Sequence, residues 1–134
     1  MLKDIPQLNV EHIGIAITKE INEELAEEWN AYFVNFKYEP VDGVLVSTSG
    51  YGTINGEDKK TATLRHFLNT VHGRTAVKIE PIIEDVFAIS NEYWASFYHN
   101  GNVYDKKFVF APNTINVDKF EFIEVLGLDG ILVM

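Results

Sequence analysis

Cysteine is absent from the 134-residue sequence. Its absence excludes disulfide frameworks, thiolate zinc sites, iron–sulfur clusters and cysteine nucleophiles together. Basic residues are also scarce, since 11 Lys and Arg stand against 20 Asp and Glu and leave a formal net charge of −9 at pH 7. Binding to nucleic acids and to anionic membranes depends on cations that contact phosphate. We therefore expect neither a nucleic acid nor a membrane surface to be a partner.

Long apolar runs are missing as well. The N-terminal segment places Lys3, Asp4 and Pro6 where a signal peptide needs an uninterrupted apolar stretch. The sequence therefore predicts no secretion signal and no membrane span, and we expect a cytoplasmic protein. Because no linker, repeat or low-complexity tract divides the chain, we predict a single domain over residues 1–134. A hydrophobic fraction of 46% is enough to build its core.

Apolar and polar residues alternate with the period of β-strands along most of the chain. For example, Val77 and Ile79 are predicted to point away from the face of Lys78 and Glu80. The predicted strands cover about 12–19, 28–37, 44–54, 60–68, 75–80, 93–99, 102–110, 119–125 and 130–134. We predict an all-β antiparallel sandwich of about seven to nine short strands with at most one short helix. This pattern resembles immunoglobulin-like domains in general architecture, although their Cys…Trp…Cys signature is absent.

The segment 20–36 fits two patterns. Ile21, Leu25, Trp29 and Phe33 lie at four-residue steps, which is typical of an amphipathic helix and leaves a helix at about 20–34 as the alternative. Against the helix, the acidic residues of 20–28 form like-charge pairs four residues apart, with no Lys or Arg in the segment. Its second half is rich in aromatic residues, which favour strands. We therefore predict an acidic loop or a single helical turn, followed by a strand from Glu28 to Lys37.

No residue pattern predicts a catalytic or metal site. Histidines 12, 66, 72 and 99 are scattered, so we interpret them as partly exposed or hydrogen-bonded side chains and expect no metal and no cofactor. The glycines of 50–56 lack the Lys-Ser/Thr and the following helix of a phosphate loop, and they indicate a bulge or a close approach by another backbone. No serine lies in a nucleophile elbow. A metal-dependent hydrolase is therefore the least favoured function.

The turn Asn100-Gly101 is the strongest local signal, because a type I′ turn needs two positive φ angles that Asn-Gly adopts easily. A two-residue turn fixes the register of the strands on either side, so that Trp94 pairs with Lys107 and Tyr98 pairs with Val103. One face of this hairpin is then amphipathic, while the opposite face is partly apolar. The candidate binding residues are Tyr51, Glu92, Trp94, Tyr98, Asp105 and Lys107.

Exposed aromatic residues on a sheet suit two classes of function. In a protein-interaction module, Trp94 and Tyr98 would anchor a protein partner or a second copy of the chain. In a carbohydrate-binding or small-ligand module, the rings would stack on sugars while Glu92 and Asp105 accept hydrogen bonds. The absence of a secretion signal favours the first class. The sequence thus predicts a non-catalytic interaction module.

Overall fold

The computed structural model describes residues 8–134, which are mostly β. Two 3₁₀ turns, Glu84–Val86 and Val117–Lys119, are the helical segments of this range, and neither has the length that crossing a membrane requires. The strands are β1 (Ile13–Ile21), β2 (Glu27–Asn35), β3 (Val41–Ile54), β4 (Glu57–Lys60), β5 (Leu64–Val71), β6 (Thr75–Ile82), β7 (Ser90–His99), β8 (Asn102–Phe110), β9 (Glu121–Ile123) and β10 (Leu128–Val133).

The strands form two antiparallel sheets. Sheet A has the order β6-β2-β1-β10-β9. In sheet B, β3 pairs with β7 along one edge and with β4 and β5 along the other, while β8 pairs with β7. The predicted all-β sandwich is therefore confirmed, with ten strands. The apolar C-terminal strand β10 lies between β1 and β9, so both of its edges are paired.

The core lies between the sheets and follows the alternation of the strands. Every second residue of β1 and β2 points inward, and β7 and β8 contribute the largest rings from the opposite sheet. Phe33 of sheet A meets Phe97 of sheet B edge to face, with 6.2 Å between ring centroids. The most deeply buried large side chains are Ile13, Ile15, Ile17, Phe33, Tyr93, Phe97, Phe108 and Phe110.

The segment 20–36 folds as a turn and a strand, and the alternative helix at about 20–34 is wrong. The Asn22 side chain closes the acidic turn by accepting hydrogen bonds from the backbone N–H groups of Glu24 and Ala26. β2 then pairs with β1 from Glu27 to Asn35. Leu25, which belongs to the helical stripe, is exposed in the turn. Like-charge repulsion and pairing with β1 outweigh the four-residue periodicity.

Two irregularities change the predicted strands. The stretch 60–68 is divided, because β4 ends at Lys60 and β5 begins at Leu64, which gives one strand more than predicted. In β6, a bulge opposite the Ala31–Tyr32 step places Glu80 beside Ala31 and Lys78 beside Tyr32. The predicted orientation of Glu80 is therefore wrong, since a bulge shifts the alternation by one residue. Its carboxylate points between the sheets, where it accepts a hydrogen bond from Thr48 of sheet B.

The outer face of sheet A is partly covered by the chain itself. Ala16 and Val34 are fully buried on this face, and Val125 and Leu126 of the β9–β10 turn pack against their cluster. The rest of this face carries a polar network around Glu20. Its Oε2 accepts hydrogen bonds from the side chains of Tyr32 (2.7 Å), Asn30 (2.7 Å) and Thr18 (2.8 Å).

Candidate functional site

All six candidate binding residues lie on one surface, the outer face of sheet B. Cross-strand partners in a sheet point to the same side, so the register of β5, β3, β7 and β8 defines this face. One row of partners runs across the sheet as Arg65, Ser47, Trp94 and Lys107. The exposed apolar and aromatic members of the face are Tyr51, Phe67, Trp94, Tyr98 and Val103.

The β7–β8 hairpin has the predicted turn and register. Asn100 and Gly101 have φ angles of 51° and 78°, as a type I′ turn requires. Trp94 pairs with Lys107, and Tyr98 pairs with Val103. The Trp94 and Tyr98 side chains are 48% and 55% exposed, while the residues between them alternate into the core. These two rings therefore stand on the surface and do not stabilise the interior.

The centre of the face is a small network around Trp94. The Lys107 Nζ atom lies 6.0 Å from the centroid of the Trp94 ring and 3.5 Å from Glu92 Oε1. A cation over an indole ring is attracted by the negative face of the π-system, and the lysine stem covers part of the ring. The contact with Lys107 favours this orientation of the indole, and any order that it imposes lowers the entropy lost on binding.

Tyr98 of β7 lies at one end of the face, opposite a bulge in β3. Between Asp42 and Leu45 the strand carries an extra residue relative to β7, and Gly43 adopts a φ angle of 57°. A Cβ atom at Gly43 would lie 2.9 Å from Cδ2 of the Tyr98 ring. A glycine at this position can adopt the positive φ angle without strain, and its lack of a Cβ atom leaves room for the Tyr98 ring. Tyr51 pairs with Ser90 at the other end of the face.

The structure adds Phe67 and Arg65, which the sequence analysis did not select. Tyr51 pairs with Lys60, and Thr48 pairs with Leu64. The two β3 residues are three positions apart, whereas their partners are four positions apart. This additional residue shifts the pairing by one, and a one-residue shift exchanges the two faces of a strand. Phe67 consequently lies on the outer face, where it is 63% exposed, beside Leu45. No pattern in the sequence marks that shift.

Charges of both signs accompany the rings without an ionic partner. Among the described residues, neither Arg65 nor Asp105 has an oppositely charged group within 4 Å, whereas Lys107 and Glu92 are paired. Arg65 lies in the row of Trp94, and Asp105 pairs across the sheet with Ser96. The face therefore combines exposed rings with charged groups of both signs that form no ion pair among the described residues.

In the range 8–134, no three His, Asp or Glu side chains gather closely enough to hold a metal ion. A histidine approaches a partly buried carboxylate between the sheets, where His66 Nε2 lies 2.7 Å from Glu80 Oε1. His66 is therefore a hydrogen-bonded histidine, as predicted. What the outer face of sheet B offers chemically is contact: aromatic area, hydrogen bonds and charge pairs.

Comparison of the chain with protein-family models, with curated proteins and with solved structures gives no match. The function must therefore be inferred from the residues and their geometry.

Proposed function

We propose that this protein is a non-catalytic interaction module that binds a partner protein through the outer face of sheet B. The observation that carries the proposal is the exposure of Phe67, Trp94 and Tyr98 on one continuous sheet face. Aromatic residues and arginine dominate the binding energy of protein interfaces because they bury a large area at a small entropy cost. Arg65 lies among these rings.

The unpaired charges favour a protein over a neutral carbohydrate. Arg65 and Asp105 carry opposite charges and lack ionic partners in the described chain. A protein surface supplies both signs of charge and apolar area together, and burial of both groups against complementary charges increases specificity. A neutral sugar supplies C–H faces for the rings and hydroxyl groups for hydrogen bonds, but no charge. Sugar binding would therefore leave Arg65 and Asp105 without groups of opposite charge.

A different protein suits the face better than a second copy of the chain does. Two copies would each carry a net charge of −9, which opposes their close approach. The cytoplasmic location that we expect remains part of this proposal. The resemblance to immunoglobulin-like domains stays a prediction, and the proposal does not depend on it, since a fold does not determine a function.

A binding experiment with matched aromatic variants tests the proposal. The immobilised protein captures partners from a lysate, and the captured protein is then purified and titrated against the wild type and against Phe67→Ala, Trp94→Ala and Tyr98→Ala. Tyr38→Ala is the matched control, because Tyr38 is an exposed ring outside sheet B. We expect each variant of the face to lose about 1–3 kcal/mol of binding free energy, while the control keeps full affinity.

Three outcomes would contradict the proposal. Equal affinity of all variants, with melting temperatures unchanged, would exclude the outer face of sheet B. Unfolding of Trp94→Ala or Tyr98→Ala would show that these rings belong to the core. Binding of a neutral oligosaccharide that these substitutions abolish would favour a carbohydrate-binding module instead. Sedimentation velocity completes the test, since a dimer that the same substitutions dissociate would make the partner a second copy.

A further inference from the structure

A cavity of about 330 Å³ opens between the two sheets, and its lining includes Glu92 of the outer face of sheet B but none of the exposed rings of that face. It lies at the side of the sandwich where β5 and β6 form the sheet edges, near the start of β5 and the end of β6. Its lining is largely apolar and includes Leu64, Ile82, Ile83, Val86 and Tyr93. Volumes of this size and character are typical of sites for small organic ligands.

The mouth of the cavity carries apolar side chains that nothing in the described chain covers. Leu64 at the start of β5 is 53% exposed, and Ile83 after the end of β6 is 64% exposed. These two residues come from opposite sheets. Apolar side chains on both sides of an opening would lose unfavourable contact with water if a ligand lay between them.

One carboxylate, that of Glu80, points into this interior. Its Oε1 atom accepts hydrogen bonds from Thr48 Oγ1 at 3.0 Å and lies 2.7 Å from His66 Nε2. Its Oε2 atom has no hydrogen-bond partner among the described residues. An ionised carboxylate only accepts hydrogen bonds, so a group that reaches Oε2 must be a donor. The network thus holds Glu80 in place and leaves half of its bonding capacity free.

Tyr93 adds a second unused polar group to the same cavity. Its ring is buried, and no described residue forms a hydrogen bond with its hydroxyl. Burial raises the pKa of Tyr93 well above its ordinary value, and the negative charge of Glu80 raises it further. The hydroxyl is therefore neutral at physiological pH, so that it can both donate and accept a hydrogen bond.

The charge of the lining selects the sign of the ligand. No Lys or Arg lines the cavity, and of its two acidic residues Glu92 turns its carboxylate toward Lys107 on the outer face. Glu80 is the carboxylate left inside, in a chain with a net charge of −9. The group beside this carboxylate that can carry a positive charge is His66, whose Nε2 atom lies 2.7 Å from Oε1. An anionic ligand would approach the Glu80 charge without a Lys or Arg in the lining, whereas an ammonium group would bring a positive charge to the unpartnered Oε2 atom.

We propose that this cavity is a binding site for a small organic amine with an apolar body. The ammonium group donates to Oε2 of Glu80 and to the oxygen of the Tyr93 hydroxyl, and the apolar body lies between Leu64 and Ile83. This site shares Glu92 with the proposed protein interface, but it uses neither Trp94, Tyr98 nor Phe67. If the amine does not bind, the proposed interface is therefore not contradicted.

Titration of the isotope-labelled protein with three phenyl compounds, followed by NMR, tests the site. Phenethylamine, 2-phenylethanol and 3-phenylpropionate share the apolar body and differ in the charge of the terminal group. We expect phenethylamine to saturate the amide shifts of residues 48, 80 and 93 with a dissociation constant of about 1 mM or less. The alcohol should bind at least about tenfold more weakly because it leaves the carboxylate charge unneutralised, and the carboxylate should not bind.

Two variants separate the site from general effects on the fold. Glu80→Gln keeps the shape of the side chain and should weaken phenethylamine at least about tenfold by removing the charge. Ala62→Trp fills the mouth from an exposed lining position and should abolish binding without touching Glu80. Ala111→Trp places the same ring at an exposed position outside the cavity and should bind like the wild type.

The proposal is overturned if phenethylamine causes no saturable shift, or if the amine and the alcohol bind equally well. Binding that survives Ala62→Trp would also overturn it, because the amine would then lie outside the cavity. If Glu80→Gln fails to fold, the comparison of the three compounds and the Ala62→Trp variant still decide the outcome.

Discussion

The outer faces of the two sheets carry similar apolar side chains but differ in what covers them. On sheet A, Val34 is fully buried, because Val125 and Leu126 of the β9–β10 turn pack against its cluster. On sheet B, Trp94 and Phe67 stand in solvent, and no segment of the described chain lies over them. The apolar residues on sheet A therefore act as a second small core, whereas those on sheet B remain available for contact.

The two faces also treat charge differently. Glu20 on sheet A receives three side-chain hydrogen bonds on its Oε2 atom from within the chain. On sheet B, Arg65 and Asp105 have no ionic partner among the described residues. Apolar side chains that the chain buries, and charges that it pairs or hydrogen-bonds, contribute to stability. Exposed apolar side chains and unpaired charges are better explained by binding, and this difference between the two faces supports the proposed interface.

The largest expected effect comes from placing a charge on each face. We expect Val34→Asp to lower the free energy of unfolding by about 4 kcal/mol or more, because its carboxylate would be buried without a partner. Val103→Asp is the matched control on sheet B, where the side chain is exposed, and should change stability by at most about 1 kcal/mol. Urea denaturation followed by circular dichroism measures both values. Equal losses would show that sheet B is covered too.

A smaller effect separates covering side chains from exposed ones. Leu126→Ala should cost about 1–2 kcal/mol, since Leu126 shields the cluster of Ala16 and Val34. Phe67→Ala removes a larger side chain but should cost less than about 0.5 kcal/mol, because that ring is already in water. Thermal unfolding of the two variants tests this order. The reverse order would mean that Phe67 supports the fold and does not serve binding.

The smallest expected effect concerns the pH dependence of the Glu20 network. Burial raises the pKa of Glu20, but hydrogen bonds from Tyr32, Asn30 and Thr18 outweigh it, and the pKa lies below its ordinary value of 4.5. The stability that Glu20 contributes is therefore complete above pH 4.5 and is lost as the pH falls through its lower folded-state pKa. Glu20→Gln should cost about 1 kcal/mol at pH 7.

The difference between the wild type and Glu20→Gln should shrink toward zero as the pH is lowered below that folded-state pKa. Unfolding curves recorded from neutral to acidic pH measure it. Glu23→Gln is the control, because Glu23 is exposed in the neighbouring turn and forms no ion pair among the described residues. A difference that stays constant with pH would show that the hydrogen bonds do not depend on the charge of Glu20.

Local sequence signals predicted the part of the site that one hairpin builds. Asn100-Gly101 fixes the β7–β8 register, and that register places Trp94, Lys107 and Asp105 on one face without any long-range information. The close approach of another backbone predicted at Gly50 and Gly52 is present only in part, since the nearest atoms belong to the Ile89 side chain, 3.0 Å from where a Cβ atom would lie at each glycine. The hairpin signal lies in residues that are neighbours in sequence, whereas Ile89 is far from both glycines in sequence.

The remaining parts of the two sites depend on irregular pairing between distant strands. The extra residue between Lys60 and Leu64 brings Phe67 to the outer face, and the bulge in β6 turns Glu80 into the interior. Strict alternation predicts Glu80 on the wrong side. In a bulge, two residues of one strand lie opposite a single residue of the partner strand. The position of a bulge therefore depends on both strands and cannot be predicted from the sequence of one of them.

The sequence by itself determined the β character of the chain, the positions of its turns and the alternation that divides each strand into two faces. These properties depend on backbone preferences and on the period of two, which act over a few residues. Only the tertiary structure decided which sheet faces are covered. It placed the β9–β10 turn against the outer face of sheet A and the Glu80 side chain in the lining of a cavity. Burial is a property of the assembled sheets, because the solvent-accessible area of a side chain that becomes buried depends on residues far away in sequence.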